Sequence, residues 1–239
     1  MAIHARPARD RRELIGFSIA MTSETDPHDS VRLRREQYET AGIDIGDIDP
    51  DPVVQWRQWY DQAEQVGCVE PNAMVISTVD ADGMPDSRYV LARGVSSDGF
   101  DFYTNYDSAK SHQLRQSGKA CALFTWLQLH RQIRIRGTVE TLDPAMSDDY
   151  FASRPRSSQI GAWASPQSQV IADRADLERR VREVEDRFGS GDIERPPHWG
   201  GWRLHIDDLE LWQGRPSRLH DRLRYRRAEG SWIIERLAP

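Results

Sequence analysis

Apolar residues recur along much of this chain at the two-residue spacing of β-strands. Between residues 132 and 140, Ile133, Ile135 and Val139 alternate with polar side chains, which predicts a strand with one core face and one polar face. Similar runs predict further strands at 73–79, 88–95, 100–104, 120–126, 202–212, 222–227 and 232–237. The turns DADG and SSDG separate the first three, so we expect these to form an antiparallel meander.

Helical spacing interrupts the strands at four places. Asp51 and Pro52 have the character of an N-cap and a first helical residue. The apolar stripe that follows them, ending at Gly67, consists of Val53, Trp56, Trp59, Tyr60, Ala63 and Val66. Further helices are predicted at 108–117, at 143–154 behind Asp143, and along Leu177, Val181, Val184 and Phe188. This interspersed order predicts an α+β fold, a mainly antiparallel barrel with helices packed outside.

The length and composition of the chain are those of a single globular domain. It has 239 residues, of which 38% are hydrophobic and 29% charged. We interpret residues 1–28 as a disordered leader, with Met21 as an alternative start, and 29–239 as the domain. Arg11 and Arg12 precede the apolar run 14–20 and raise the alternative of an export signal, but Gly16 and Ser18 interrupt that run.

Charge and cysteine content exclude several classes of function. A net charge of -6 argues against nucleic acid or an anionic membrane as a partner, and no apolar run approaches the roughly 20 residues of a membrane span. Cys68 and Cys121 have neither disulfide-framework nor metal-site spacing, so we predict no metal and a reducing cytoplasm. The chain also lacks a Walker motif, a GxGxxG loop and a Ser/His/Asp pattern, which leaves hydrolase and Rossmann functions unsupported.

Four polar segments carry the candidate chemistry. SRYVLAR (87–93), YTNYDSAKSHQ (103–113) and SRPRSSQIGAW (153–163) each combine a cation with hydroxyls near a predicted strand end or helix start, which suits phosphate binding. Solvated surface arginines and a helix cap would explain them equally well. In LWQGRPSRLHDRLRY (211–225), an extended backbone would place Arg218, His220 and Arg222 on one face, where they would suit a planar, charged heterocycle. A histidine there is often only a surface or capping residue.

Taken together, these segments resemble the pyridoxamine 5'-phosphate oxidase family. The resemblance runs from about Leu33 to Pro239 and also includes RQIRIRG, PQS, WGGWR and the terminal ERLAP. It implies a split β-barrel homodimer with FMN at the subunit interface. It also implies oxidation of pyridoxamine and pyridoxine 5'-phosphates to pyridoxal 5'-phosphate, with O2 reduced to H2O2.

Matching positions imply a role for individual residues. The implied FMN site consists of Arg88, Arg93, Tyr103, Thr104, Lys110, Gln132, Gln167, Ser168, Trp212 and Arg222. The implied site for the substrate phosphate consists of Arg93, Tyr150, Arg154 and Ser158. Arg218 and His220 would flank the pyridine ring of the substrate as the catalytic pair.

Three departures from the family pattern leave alternatives open. Arg93 stands where the family usually has lysine, and Ala109 where it often has arginine. The segment LRREQY (33–38) has one residue, Gln37, more than the family's amino-terminal lid motif, so the roles of Arg34 and Tyr38 stay open. The alternatives are a related flavin oxidase of another metabolite, such as the phenazine-type enzymes, and a noncatalytic carrier of flavin or pyridoxal phosphate.

Overall fold

The computed structural model describes residues 38–239; the predicted leader, Met21, Arg34 and Gln37 lie outside the described residues. Five α-helices occur in the described range: α1 (Pro52–Gln65), α2 (Ala109–Ser117), α3 (Pro144–Ala152), α4 (Arg156–Ala164) and α5 (Arg174–Phe188). The strands are β1 (Ala73–Val79), β2 (Pro85–Leu91), β3 (Gly94–Ser96), β4 (Gly99–Asn105), β5 (Lys119–Trp126), β6 (Arg131–Thr141), β7 (Trp199–Leu204), β8 (Asp208–Gln213), β9 (Asp221–Ala228) and β10 (Ser231–Leu237). Within this range, no helix is long and apolar enough to cross a membrane.

The strands form one curled antiparallel sheet. Seven are paired in the order β10-β9-β8-β6-β5-β1-β2, and β7 connects β4 and β3 to the far end of β6. β6 pairs with β8 through residues 131–136 and with β7 through 139–141, so this one long strand joins the two parts of the sheet. The predicted α+β, mainly antiparallel fold is therefore confirmed as a half-barrel with helices.

The predicted core face of β6 is also confirmed. Ile133 and Ile135 are fully buried, and Val139 packs against the same apolar cluster. Helix α1 begins behind its predicted cap, since the Asp51 carboxylate accepts hydrogen bonds from the N–H groups of residues 53 and 54. Its Trp56 is buried, but Val66 is 52% exposed because the helix ends before it, so the stripe is shorter than predicted.

Three predicted elements are wrong in extent. The segment 88–95 is two strands, because the chain leaves β2 after Leu91 and pairs as β3 with β4, so the meander is not continuous. The segment 202–212 bends where the N–H groups of His205 and Asp207 donate to carbonyls of β6, which separates β7 from β8. The helix predicted to reach residue 154 ends at 152, since Pro155 disfavours helical backbone in the residue before it.

Helix α4 is absent from the predicted elements. It begins after Pro155 and packs Ile160 into a second apolar cluster with Phe151 and Trp199. Val181, Val184 and Phe188 of α5 pack against that cluster, which confirms three of the four residues of the apolar stripe predicted there; Leu177 is not among the residues packed on it. The candidate phosphate-binding segment SRPRSSQIGAW therefore comprises the corner after α3, at residues 153–155, and most of α4.

Candidate active site

A buried lysine lies at the start of α2. Its Nζ donates to Thr104 Oγ1 at 3.0 Å, Ser108 Oγ at 3.2 Å and Gln167 Oε1 at 2.7 Å. All three oxygens belong to uncharged groups, and Lys110 forms no ion pair in the part of the chain that the structure describes. Burial, with a smaller contribution from the nearby Arg88, lowers its pKa to about 8. A buried ammonium without a directly paired carboxylate suits an anionic ligand.

Arg88 provides a second cation on the same side of the sheet. Its guanidinium donates to Thr78 Oγ1 at 2.6 Å and to Gln113 Oε1 at 3.2 Å, and it pairs with the half-exposed Asp86. Thr78 lies on β1 and Gln113 on α2, so Arg88 ties this helix to the sheet. Its positive charge disfavours the protonated form of Lys110. The two cations, which the sequence places 22 residues apart, thus belong to one electrostatic cluster.

A cleft of about 320 Å³ opens beside this cluster. Its walls include seven residues that the sequence analysis assigns to FMN or to the substrate: Arg93, Tyr103, Thr104, Tyr150, Arg154, Ser158 and Gln167. The rings of Tyr103 and Tyr150 are stacked with centroids 3.9 Å apart, and Trp199 continues the stack at 5.6 Å from Tyr103. The cleft therefore combines flat aromatic walls with two guanidinium groups.

Arg154 is held in this cleft by aromatic rings. Its Cζ lies 4.5 Å from the centroid of Trp199 and 5.6 Å from that of Phe151, distances typical of cation–π contact. Its Nη1 is buried and has no hydrogen-bond partner in the described structure. Burial lowers the pKa of Arg154, and Arg93 acts in the same direction. An unpartnered guanidinium N–H in a concave site fits a phosphate oxygen.

Another set of predicted site residues lies on β6, β8 and β9. Gln132, Trp212 and Arg222 are direct neighbours across these strands. Arg222 Nε donates to the buried Glu210 at 2.7 Å, and its Nη1 donates to the carbonyl of Ala238 at 2.9 Å. This ion pair and hydrogen bond fix the direction of the Arg222 guanidinium.

His220 lies next to Trp212, with ring centroids 4.5 Å apart. The backbone N–H of Arg215 donates to His220 Nδ1 at 3.1 Å, so Nδ1 is an acceptor and the proton of the neutral ring is on Nε2. Burial, and then the charge of Arg218, lowers the pKa of His220, which favours that neutral form. In the described structure, Tyr38 also reaches this group, with its ring 5.9 Å from that of His220.

The extended backbone considered for residues 218–222 is wrong. Residues 216–218 form a 3-10 turn, and β9 begins only at Asp221. Ser217 and Arg218 have φ angles of 57° and 61°, in the left-handed region that costs a non-glycine residue about 1–3 kcal/mol. Arg218, His220 and Arg222 therefore do not lie on one strand face. Gln167 and Ser168 are likewise on an exposed loop, where Ser168 has a φ of 71°.

Apart from Ser168, the assigned residues fall into two separate groups within one chain. The first contains Arg88, Arg93, Tyr103, Thr104, Lys110, Tyr150, Arg154, Ser158 and Gln167; the second contains Gln132, Trp212, Arg218, His220 and Arg222. Among residues 38–239, no hydrogen bond, ion pair or ring contact joins the two groups. No cluster of His, Cys, Asp or Glu in that range is able to hold a metal ion.

Sequence reasoning missed several residues that position these groups. Trp199 underlies Arg154, Gln113 contacts Arg88, and Glu210 pairs with Arg222. Glu210 lies on the polar side of a predicted strand, two residues before Trp212, and this position could have indicated its pairing with Arg222. The tryptophan of WGGWR carried no such signal, because its contact with Arg154 depends on how α3 packs against β7.

Comparison with known proteins shows the family to which this chain belongs. Residues 61–188 match the family profile described as pyridoxamine 5'-phosphate oxidase, and residues 199–239 match a pyridoxine 5'-phosphate oxidase C-terminal dimerisation region. Proteins named pyridoxine/pyridoxamine 5'-phosphate oxidase are similar: the one from Gloeothece citriformis is 50% identical over 88% of this chain and 99% of its own. The one from Paraburkholderia phymatum is 52% identical over 86% of this chain and 97% of its own.

A solved structure shares the fold. PhzG from Burkholderia lata 383, in complex with tetrahydrophenazine-1-carboxylic acid, superposes with a TM-score of 0.79 at 27% identity, covering 85% of this chain and all of PhzG. An FMN-binding protein from Nostoc punctiforme, related to pyridoxamine 5'-phosphate oxidase, has a TM-score of 0.61 at 20% identity, over 77% of this chain and 97% of its own. The half-barrel described above is thus a split β-barrel, and this chain belongs to the pyridoxamine 5'-phosphate oxidase family.

Proposed function

We propose that this protein is an FMN-dependent oxidase that converts pyridoxamine and pyridoxine 5'-phosphates to pyridoxal 5'-phosphate, with O2 as the electron acceptor and H2O2 as a product. The observation that carries the proposal is Arg154, whose Nη1 is buried without a partner in an aromatic cleft of the described structure. The similarity to proteins named as such oxidases at about 50% identity supports the same reaction.

The cleft fits a phosphorylated pyridine compound. Arg154 and Arg93 would contribute the positive charge, and the hydroxyls of Tyr150 and Ser158 would donate hydrogen bonds to the phosphate. The stacked rings of Tyr103 and Tyr150 offer flat apolar surface next to these donors. A dianion would satisfy the donors that the chain itself leaves without acidic partners.

The cluster around Lys110 fits the phosphate of FMN. Lys110, Arg88, Thr104 and Gln167 would bind it, because the buried ammonium has only uncharged oxygens around it. Tyr103 and Ser168 complete this side of the proposed FMN site. When bound, FMN supplies the acceptor for a hydride from the C4' carbon of the substrate and passes the electrons to O2.

The second group of residues would reach the flavin from the partner subunit. Within the described residues, Gln132, Trp212 and Arg222 form no hydrogen bond, ion pair or ring contact with the first group, and Trp212 and Arg222 lie in the matched dimerisation region. We therefore propose a homodimer with FMN at its interface. Dilution to the monomer should release FMN; a monomer that retains stoichiometric flavin would contradict this site.

Arg218 and His220 would orient the pyridine ring and stabilise charge while C4' is oxidised. Because Nδ1 of His220 accepts a hydrogen bond, the neutral ring donates from Nε2 rather than acting as a base there. Pyridoxine phosphate loses two electrons and two protons to give the aldehyde directly. Pyridoxamine phosphate gives an imine, which water then hydrolyses with release of ammonia.

Aerobic turnover of each vitamer tests the proposal. Purified protein loaded with FMN should form one aldehyde and one H2O2 per O2 consumed. Flavin that is bound but is not bleached by either vitamer without O2 would indicate a noncatalytic carrier.

We also propose a cytoplasmic location, which the two free cysteines favour.

The second candidate function is a phenazine-type oxidation, which the PhzG superposition favours. Its substrates carry a carboxylate on a tricyclic ring instead of a phosphate ester. Competition between pyridoxamine phosphate and a reduced phenazine carboxylate discriminates the two functions. Preferential turnover of the phenazine compound would replace the first proposal with the second.

A further inference from the structure

The loop 214–221, which carries Arg218 and His220, has an unfavourable backbone. Ser217 and Arg218 are consecutive non-glycine residues in the left-handed region. Such a conformation persists only where surrounding contacts hold it, and it is common where a side chain must be aimed at a site. Contacts from outside the loop hold this conformation in place.

One carboxylate, that of Asp221, connects the loop to two other parts of the chain. Its Oδ1 accepts a hydrogen bond from Arg236 Nη1 of β10 at 2.7 Å. Its Oδ2 accepts from the backbone N–H of Ile43 at 3.2 Å and lies 3.5 Å from Arg215 Nε. Asp221 thus joins β10, the segment 40–44 and the beginning of the loop.

Arg215 connects the Asp221 carboxylate with the imidazole of His220. Its side chain pairs with Asp221 and donates to the carbonyl of Thr40, while its backbone N–H donates to His220 Nδ1 at 3.1 Å. The Thr40 hydroxyl in turn donates to the carbonyl of Gly214. The hydrogen bond that selects the tautomer of His220 therefore comes from a residue whose side chain Asp221 holds.

Segment 40–44 is closely fitted to this loop. A Cβ atom on Gly42 would lie 2.8 Å from Asp221 Oδ2, and one on Gly214 would lie 2.6 Å from Cδ2 of Tyr38. Arg236 Nη2 also donates to the carbonyl of Ile43 at 2.9 Å. Any side chain at position 42 would therefore separate the segment from the Asp221 carboxylate.

We infer that Asp221 is a positioning residue for the oxidation. By holding Arg215 and segment 40–44, it keeps the Arg215 N–H on Nδ1 of His220 and so presents the Nε2–H to the substrate. This inference rests on the proposed function, in which His220 acts on the pyridine ring. Asp221 itself does not contact the substrate in this scheme.

The decisive experiment is a double-mutant cycle with FMN-loaded dimer. Asp221→Asn should lower kcat for pyridoxamine phosphate about tenfold while FMN content stays the same and KM changes less than about threefold. In a His220→Gln background the same substitution should change kcat less than about twofold, because its effect passes through His220. Equal losses in both backgrounds would show general damage and overturn the inference.

Two further variants test whether this effect is specific to the contacts of Asp221. Glu235→Gln is the matched control: it removes ion pairs with Arg224 and Arg226 on the same two strands but touches no residue of the loop. It should leave kcat unchanged, and a loss as large as that of Asp221→Asn would contradict the specific role. If Asp221→Asn does not fold, Gly42→Ala should reproduce the kcat effect without altering any charge, and an unaffected kcat would overturn the inference.

A spectroscopic readout separates this inference from the proposed function. In the protein without FMN or substrate, the nitrogen chemical shifts of the His220 ring should show the Nε2–H tautomer. Asp221→Asn should give a mixture of tautomers, whereas an unchanged spectrum would refute the positioning role. A wild type that oxidises neither vitamer would refute the proposed function, and the tautomer measurement would still decide the role of Asp221.

Discussion

The guanidinium carbon of Arg154 lies 4.5 Å from the centre of the Trp199 ring, and Arg154 forms no ion pair in the described part of the chain. A carboxylate partner would neutralise this arginine and compete with an anionic ligand. An aromatic face holds the side chain without using its N–H donors. Trp199 is therefore able to position a cation that remains available to a phosphate.

Trp199→Leu should consequently weaken binding of the phosphorylated substrate. Loss of a desolvated cation–π contact is worth about 2 kcal/mol, so KM should rise up to about 30-fold. Trp199→Phe, which keeps an aromatic face, should recover most of this loss. Steady-state kinetics with pyridoxamine phosphate measure both, and equal KM values for the two variants would contradict the contact.

The proposed site for the substrate phosphate and the proposed FMN site should respond separately to mutation. Arg154→Ala should raise KM for the substrate while FMN remains bound, whereas Arg222→Ala should weaken FMN binding. One charge-assisted hydrogen bond is worth about 1.5–3 kcal/mol, or roughly 10- to 150-fold in affinity. Flavin titration measures FMN binding by both variants, and steady-state kinetics measure their KM for the substrate. Equal loss of flavin in both variants would show that the residues are wrongly assigned.

Most of the sheet, but less of the site, follows from the sequence. The alternation around Ile133 and Ile135 predicts β6 because burial on one face has the period of the strand. Helix α4 escapes prediction because its start, Arg156, follows a proline in a segment whose charge and serines indicate a loop. The turn at Ser217 depends on contacts with residues about 175 positions away, such as that between Thr40 and Arg215, which no local pattern reveals.

FMN affinity should fall as the pH rises above about 8. Burial lowers the pKa of Lys110 to about 8, so the unliganded lysine loses its proton above that value, whereas a bound phosphate favours the ammonium. Binding at higher pH must then take up a proton, and Kd should rise by up to about tenfold per pH unit. Fluorescence titrations of FMN between pH 6.5 and 9.5 measure this slope.

The same lysine has the opposite effect on the stability of the unliganded protein. Its folded pKa lies below the ordinary value of 10.5, so between pH 8 and 10.5 the unfolded chain binds more protons and stability rises with pH. Lys110→Met is the control for the FMN titrations. This variant should bind FMN weakly, and its Kd for FMN should not change with pH near pH 8. If the Kd for FMN changed with pH in the wild type as it does in Lys110→Met, the pH dependence of FMN binding could not be assigned to Lys110.

Arg93 lines the same cleft as Arg154, at a position where the family resemblance leads us to expect lysine. Its Cζ lies 6.0 Å from the Tyr150 ring, and its charge disfavours protonation of Arg154, so the two guanidiniums act on one cleft. A phosphate dianion between them would relieve this repulsion, and a lysine ammonium would supply the same Coulomb attraction without the planar fork.

Arg93→Lys should therefore keep kcat/KM for pyridoxamine phosphate within about tenfold of wild type, about 1.4 kcal/mol, because Arg154, Tyr150 and Ser158 would still hold the phosphate in the proposed site. Arg93→Gln, which removes the charge at similar size, should lose considerably more. The comparison is made on FMN-loaded protein with both vitamers and a reduced phenazine carboxylate. A gain of more than about tenfold in Arg93→Lys with pyridoxamine phosphate would mean that Arg93 adapts the cleft to another substrate. In that case the phenazine-type oxidation becomes the better account of this site.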